Sequence, residues 1–189
     1  AQKIDAFLSK KLFQADYITF KSGAIRVGPV DLDQYIRDHK LQIGTIVLND
    51  FLFTDFKDKK LPFQPGIIKP LPVNLLKNIS QQFSIDTLLL NNAQVDYTET
   101  GEKTKLPGTI TVNRMAVRLI SVKNYNLTAT DSLHIQANGY LMDKAWIRLG
   151  VKESYTDTSG GFRMTLHMKP VDLTIFNAAL LPLTSVQLV

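Results

Sequence analysis

The sequence predicts a mainly β fold, made of twisted antiparallel β-hairpin repeats with three or four short helices packed on one side (α+β in a looser count). Three observations predict this class. Apolar and polar residues alternate with a period of two over several segments, which is typical of strands. Turn-forming residues divide these segments into pairs. Short stretches with helical spacing precede the pairs.

Composition limits the function classes. The chain has 189 residues, of which 44% are hydrophobic and 21% charged, and this composition is typical of one globular domain over residues 1–189. It has no cysteine, which excludes a disulfide scaffold, a zinc ribbon and a thiol catalyst. The net charge is +5, but lysine and arginine are scattered in the sequence, so we expect no nucleic-acid partner.

Three segments that align without gaps open the three predicted hairpins. Each is followed by turn formers and then by a second extended run. Because asparagine and glycine tolerate the positive φ of tight turns, each pair of runs predicts a β-hairpin. The first runs are residues 13–20, 41–48 and 83–90, the turns are Lys21-Ser22-Gly23, Asn49-Asp50 and Asn91-Asn92, and the second runs are residues 24–27, 51–56 and 93–97.

A short helix is predicted before each hairpin. Ile4, Phe7 and Leu8 share one face of the first helix. The second and third begin with the similar phrases Pro-Val-Asp-Leu and Pro-Val-Asn-Leu, in which Asp31 and Asn74 are N-cap candidates. The first phrase returns at residues 170–173, where it predicts a fourth helix. Helix-hairpin units therefore cover about 1–28, 29–70 and 71–99, and stacked units of this kind share one core.

Four further strands are predicted after the third unit. Residues 131–141 and 162–168 alternate cleanly, which predicts one buried and one solvated face for each. Residues 109–122 and 145–152 are also predicted strands, with a hairpin turn near Asp143-Lys144. Residues 57–82 contain four prolines and predict an irregular loop that leads into the third helix.

The second and third hairpins carry apolar residues on both faces, so both faces have to be covered. An ordinary core of helix, sheet and loop is the preferred cover. The alternative is an apolar groove completed by neighbouring units or by a lipid. The candidate groove residues are Ile46, Leu48, Leu88 and Leu90.

No pattern predicts catalysis, a metal or a cofactor. His39, His134 and His167 each lack a second ligand at metal spacing. The chain has no nucleophile elbow, P-loop or dinucleotide-binding glycine pattern. We therefore expect no enzyme activity. Trp146 shares a predicted strand face with Arg148, which predicts stacking of the indole under the guanidinium.

The hairpin phrase from Ile85 to Tyr97 resembles the recurrent strand phrase of AsmA-like bacterial envelope proteins. Residues 168–184 are similar to a helix and following strand that recur in the same proteins, and residues 139–143 resemble a strand that enters its turn. The resemblance touches most of residues 13–189. It is a β pattern without a catalytic signature.

The resemblance implies a segment of a long, membrane-anchored, mostly periplasmic protein of a diderm bacterium. Proteins of this family form elongated, groove-bearing β structures linked to outer-membrane biogenesis and integrity and to phospholipid transport between membranes. We expect an excised internal segment whose membrane anchor is missing, with phospholipid and neighbouring segments of the full-length protein as partners. The expected function is passive binding and transfer of acyl chains. The alternative is a structural or scaffolding repeat segment that binds a protein partner and no lipid.

Overall fold

A computed structural model describes residues 2–66, 69–157 and 159–189 of the chain. In this part of the chain nine strands form one mixed sheet, accompanied by four short α-helices. The predicted class, mainly β with short helices, is confirmed. The strands are β1 Asp16–Lys21, β2 Ile25–Val30, β3 Leu41–Asn49, β4 Leu52–Asp58, β5 Phe83–Thr100, β6 Pro107–Lys123, β7 Ser132–Leu141, β8 Ala145–Ser154 and β9 Phe162–Met168. The helices are α1 Gln2–Leu8, α2 Leu32–Asp38, α3 Pro72–Lys77 and α4 Asn177–Thr184.

The nine strands occupy seven positions across the sheet, which we call strand lines. Two of the lines contain two consecutive strands each, and the lines lie side by side in chain order. β1 and β2 form the first line, because both pair with the second line in one unbroken antiparallel register, from Asp16 opposite Lys57 to Val30 opposite Ile43. β3 and β4 form that second line. β5, β6, β7, β8 and β9 complete the sheet, and β9 is its far edge. All neighbouring lines are antiparallel except the second line and β5, which are parallel.

The three predicted hairpins are wrong. β3 and β4 pair not with each other but both with β5, at a constant offset of 42 residues, so that Leu41 lies opposite Phe83 and Leu52 opposite Gln94. The predicted turn Asn91-Asn92 lies inside the 18-residue strand β5. The repeat that the sequence contains is therefore a parallel stack of the second unit on the third, while the first unit pairs antiparallel.

The number of left-handed residues distinguishes the bends of the second and third units from a true hairpin turn. A two-residue hairpin turn of type I′ requires two successive residues with positive φ. Asp50 (φ 51°) and Asn92 (φ 50°) each stand alone, and one such residue only bends the strand as a bulge. Met142 (φ 52°) and Asp143 (φ 63°) are consecutive, and there the predicted hairpin between β7 and β8 is confirmed.

Side chains join the two bends into a short ladder. The Asn91 Nδ2 donates to Asn49 Oδ1 at 3.1 Å, and the Asn92 Nδ2 donates to Asp50 Oδ1 at 2.7 Å. The Asp50 backbone N–H donates to the Asn91 carbonyl at 2.9 Å. Stacked amide side chains of this kind stabilise parallel in-register strands. The residues that predicted turns thus hold two parallel lines together at a shared bend.

One of the two predicted N-caps is correct. Asp31 caps α2, since its Oδ1 accepts from the Gln34 N–H at 2.8 Å. The prediction for Asn74 is wrong, because α3 already begins at Pro72, without a side-chain cap. Proline is favoured at the first helical position, where its missing N–H leaves no donor unsatisfied. The phrase predicted to open a fourth helix, residues 170–173, lies just before and at the start of a 3₁₀ turn, Leu173–Phe176, which Asp172 caps and which leads into α4.

The sheet has one apolar and one mixed, largely polar face. Val117, Ala137 and Leu149 lie in register on one side, which we call the apolar face. Their neighbours Arg118 and Gln136 are in register on the other side, which we call the polar face. The two faces follow from the period-two alternation of strands.

The helices pack on both faces, not on one side as predicted. α3 inserts Val73 into the largest buried cluster, with Phe83, Val122, Leu133 and Tyr155, at one end of the apolar face. α4 covers the other end of that face. It packs so closely on β6 that a Cβ at Gly108 would lie only 2.5 Å from the Leu183 Cγ, so only glycine fits there. α1 lies on the polar face, since its Phe7 ring meets the Tyr17 ring edge-on at 5.1 Å. This contact buries the apolar side of α1 against the Tyr17 ring. Without it, that side of the helix would be exposed to water.

Candidate functional site

Two rows of apolar side chains cross the whole apolar face, and we call them together the apolar strip. The strand register aligns one residue of each row from every strand line, so the strip needs no contribution from a loop. The first row is Val27, Ile46, Leu88, Leu119, Ile135, Val151 and Met164. The second row is Ile25, Leu48, Leu90, Val117, Ala137, Leu149 and Leu166.

The apolar strip is only partly covered. Its first row is covered at the centre, where Leu88, Leu119 and Ile135 pack against the α3 cluster. The second row takes no part in that cluster, and apart from Ala137 its central members are half-buried. The outer members at both edges of the sheet are more than half exposed. Apolar surface that is contiguous and open in this way marks an interaction site more often than surface of scattered apolar residues does.

An apolar depression of about 200 Å³ lies next to the second row. Val95, Val112, Met115 and Ile147 line it together with Ala137 and Leu149 of the strip. The depression is smaller than the 300–1,000 Å³ typical of pockets that enclose a whole small molecule. Its size and apolar lining suit part of a flexible apolar chain that continues along the strip.

Polar groups limit the apolar face on the side of α4. The Tyr97 hydroxyl donates to Glu99 Oε2 at 2.7 Å, and Lys59 Nζ donates to Glu99 Oε1 at 2.8 Å. Burial raises the pKa of Tyr97 well above its usual range, and the bond to Glu99 adds to this effect. Burial also opposes ionisation of Glu99, but the bonds from Lys59 and Tyr97 outweigh it and lower the pKa of this carboxyl. Glu99 therefore stays ionised and bonded to Lys59 and Tyr97, and the apolar surface ends before it.

The same polar end contains a second carboxylate. Burial raises the pKa of Asp55, and the neighbouring Asp16 carboxylate raises it further, against the opposing effects of Lys69 and Lys57. Asp55 lies opposite Tyr97 across the strands β4 and β5. Both residues therefore place polar atoms on the apolar face at the α4 end, and the apolar strip is the part of the face on the α3 side of them.

The structure brings the four predicted groove residues together. Ile46 lies opposite Leu88, and Leu48 lies opposite Leu90, all on the apolar face. The other ten members of the strip were not among the predicted site residues. Alternation within residues 131–141 and 162–168 was the available signal for some of them, but the register that joins them to Leu88 and Leu90 cannot be read from alternation. The prediction that residues 162–168 have one buried face is wrong, because every residue of β9 is exposed at the sheet edge.

The larger depressions lie on the polar face. One of about 890 Å³ is lined by threonines of β1, β4, β5 and β6 together with Ile4, Tyr17, Phe56 and three further polar residues. Four of the threonine hydroxyls form bonded pairs, Thr19 with Thr54 at 2.6 Å and Thr98 with Thr109 at 2.8 Å. Another of about 550 Å³ is lined by polar side chains of β6, β7, β8 and β9, among them Arg118 and Arg148, and by apolar ones such as Leu89. Both depressions mix polar and apolar side chains, so neither has the continuous apolar lining of the strip.

Other chemistry is sparse. Within residues 2–66, 69–157 and 159–189 no group of three or more histidine, aspartate or glutamate side chains could hold a metal ion. No helix in the described ranges is both long and apolar enough to cross a bilayer. The predicted stacking at Trp146 is confirmed, with the Arg148 Cζ 5.4 Å from the ring centroid, and Lys169 Nζ lies 5.2 Å from the same ring.

No known family model matches the chain, and no curated protein matches it either.

Proposed function

We propose that the chain is a non-enzymatic segment of an AsmA-like envelope protein and that its apolar strip binds the acyl chains of phospholipids. The segment would face the periplasm and serve lipid transfer between the two membranes, or outer-membrane integrity. The observation that carries the proposal is the apolar strip, which crosses all seven strand lines and is open along its second row. The resemblance of residues 85–97 to the AsmA-like strand phrase supports the same assignment.

The dimensions of the strip suit an acyl chain. Seven strand lines are separated by six gaps of about 4.8 Å, so the strip is about 29 Å long. The acyl chains of one leaflet span about half of the ~30 Å hydrocarbon core of a bilayer. The strip is therefore long enough for the whole of one acyl chain to lie along the second row. The headgroup of the lipid would stay in solvent at the rim.

The driving force is the hydrophobic effect. Each methylene that leaves water contributes about 0.8 kcal/mol, and the side chains of the second row give up their own exposed apolar surface at the same time. No proton transfer or metal is required. Binding of this kind is passive and reversible, which a transfer function needs.

The test is native mass spectrometry of the protein, purified from bacterial cells without detergent, together with lipid extraction of the same sample. We expect a phospholipid in stoichiometric amount on the natural chain. We expect the double variant Leu48→Asp with Leu90→Asp to lose it, because two carboxylates in the second row oppose burial of a methylene chain.

The chain offers a matched control for this variant. Val47 and Leu89 precede the two leucines, are half-buried like them and lie opposite each other on the polar face. Val47→Asp with Leu89→Asp therefore introduces the same charges into the same strands without touching the strip. Circular dichroism checks that both variants are folded. Retention of lipid by both folded variants, or a natural chain without lipid that also fails to take labelled phosphatidylethanolamine from vesicles, would contradict the proposal.

A further inference from the structure

The outer edge of β9 carries free backbone groups. The Lys169 N–H donates to the Trp146 carbonyl at 3.0 Å, and the antiparallel register places these two residues opposite each other. Bonded and non-bonded residues alternate along an antiparallel strand. Arg163, Thr165 and His167 therefore bond to β8, while Phe162, Met164, Leu166 and Met168 direct their backbone N–H and C=O groups away from the sheet.

Two devices that protect many sheet edges, a proline and a bulge, are absent from this edge. β9 has no proline, its register with β8 has no bulge, and all seven of its residues are exposed. The opposite edge of the sheet is different, because Pro29 has no N–H to offer and residues 22–24 interrupt the line. An open, regular edge strand is a template for another strand.

The polar face beside this edge is positively charged. Arg163 lies opposite Lys152, and His167 lies opposite Arg148. None of the four forms an ion pair in the described part of the chain. On the other face, Met164 and Leu166 end the two rows of the apolar strip. A strand added here therefore meets basic side chains on one face and apolar side chains on the other.

We propose that the β9 edge binds a β-strand of a protein partner in which acidic and apolar residues alternate. Backbone hydrogen bonds to Met164 and Leu166 provide the docking, and the basic side chains select the acidic face of the strand. A second copy of this chain fits less well. Antiparallel pairing of two β9 strands about Thr165 would place Arg163 opposite His167, and each copy carries a net charge of +5. The inference does not depend on lipid binding.

The test uses two synthetic peptides with the intact chain, one alternating valine and glutamate and the other alternating valine and lysine. We expect binding of the glutamate peptide and at least about tenfold weaker binding of the lysine peptide, since attraction at two cross-strand positions is replaced by repulsion. Amide hydrogen exchange followed by NMR reports the site. The N–H groups of Met164, Leu166 and Met168 should exchange rapidly in the free chain and slowly with the glutamate peptide.

A charge variant and a proline variant separate the contribution of the side-chain charges to peptide binding from that of the backbone hydrogen bonds. Arg163→Glu with Lys152→Glu reverses the charge at one of the two basic pairs and leaves Arg148 and His167, so it should abolish most of the roughly tenfold preference for the glutamate peptide. Leu166→Pro removes an outward N–H without breaking a bond to β8 and should weaken both peptides, whereas Leu166→Val keeps the N–H and should bind normally. Protection at another strand, an unchanged preference in the charge variant, no binding of either peptide, or a dimer in sedimentation equilibrium would overturn the proposal.

Discussion

At the scale of single residues, Asn92 illustrates what the sequence can and cannot specify. The asparagine pair predicts a position with positive φ, and Asn92 has φ 50°. The type of structure at that position depends on whether its partner in the turn, Asn91, is also left-handed, and the residue types do not decide this. Asn91-Asn92 suits a type I′ turn as well as it suits a bulge. The backbone conformation is thus predictable here, and the hairpin is not.

Asn92→Val should lower the free energy of unfolding by about 2 kcal/mol. A β-branched residue is unfavourable in the left-handed region, which accounts for about 1–2 kcal/mol, and the hydrogen bond to Asp50 is lost as well. Asn92→Gly is the matched control, because it loses the same bond but accepts the backbone conformation. Urea denaturation of both variants measures the difference, and equal costs would mean that backbone conformation at residue 92 is not what matters.

At the scale of elements, the alternation of apolar residues predicts strands but not their partners. Leu88 and Leu90 share a face in any strand, so two members of the strip follow from alternation alone. Their contacts with Ile46 and Leu48 need the parallel register of β3 on β5. Parallel pairing requires a crossover connection, which here is the loop and α3 between β4 and β5. The helix before a strand is visible in the sequence, but its effect on strand direction is a tertiary property.

Tyr155 shows how one side chain at a strand end stabilises its neighbours. The residue is 1% exposed, and its hydroxyl donates to the Ser121 carbonyl at 2.5 Å and accepts from the Lys123 N–H at 3.1 Å. Ser121 has φ 61°, so β6 is bent there and leaves backbone groups without a strand partner. The hydroxyl of Tyr155 supplies that partner from the end of β8.

Tyr155→Phe should therefore lower the free energy of unfolding by about 2 kcal/mol, since a carbonyl and an N–H would lose their partner in a buried position. Tyr140→Phe on β7 is the control, because the Tyr140 hydroxyl makes no hydrogen bond to the described residues, and its cost should stay below about 0.5 kcal/mol. Thermal and urea unfolding measure both. A cost for Tyr155→Phe no larger than that of the control would show that water replaces the hydroxyl.

At the scale of the whole molecule, the order of the strand lines turns a repeated pattern into a continuous face. Neighbouring lines follow chain order, so each new segment adds one strand to the same sheet and two residues to the apolar strip. This additive growth is typical of repeat proteins, whose units contact mainly their neighbours. The sequence predicts the repeat and the apolar faces, whereas the parallel stacking on which the strip depends appears only in the assembled sheet.

Paired spin labels test this topology against the hairpins that the sequence predicts. The chain has no cysteine, so labels attach only where cysteine is introduced. Gln42 lies opposite Ser84 across the parallel lines, at a backbone separation of about 4.8 Å. A hairpin would instead bring Gln42 close to Lys57, but along one extended line these residues are separated by about 50 Å. Dipolar coupling between the labels, measured by electron paramagnetic resonance, gives their separation. The labels should be close in the pair Gln42→Cys with Ser84→Cys and far apart in the pair Gln42→Cys with Lys57→Cys. The reverse result would mean that β3 and β4 fold back on each other, and the apolar strip would then lose its second strand line.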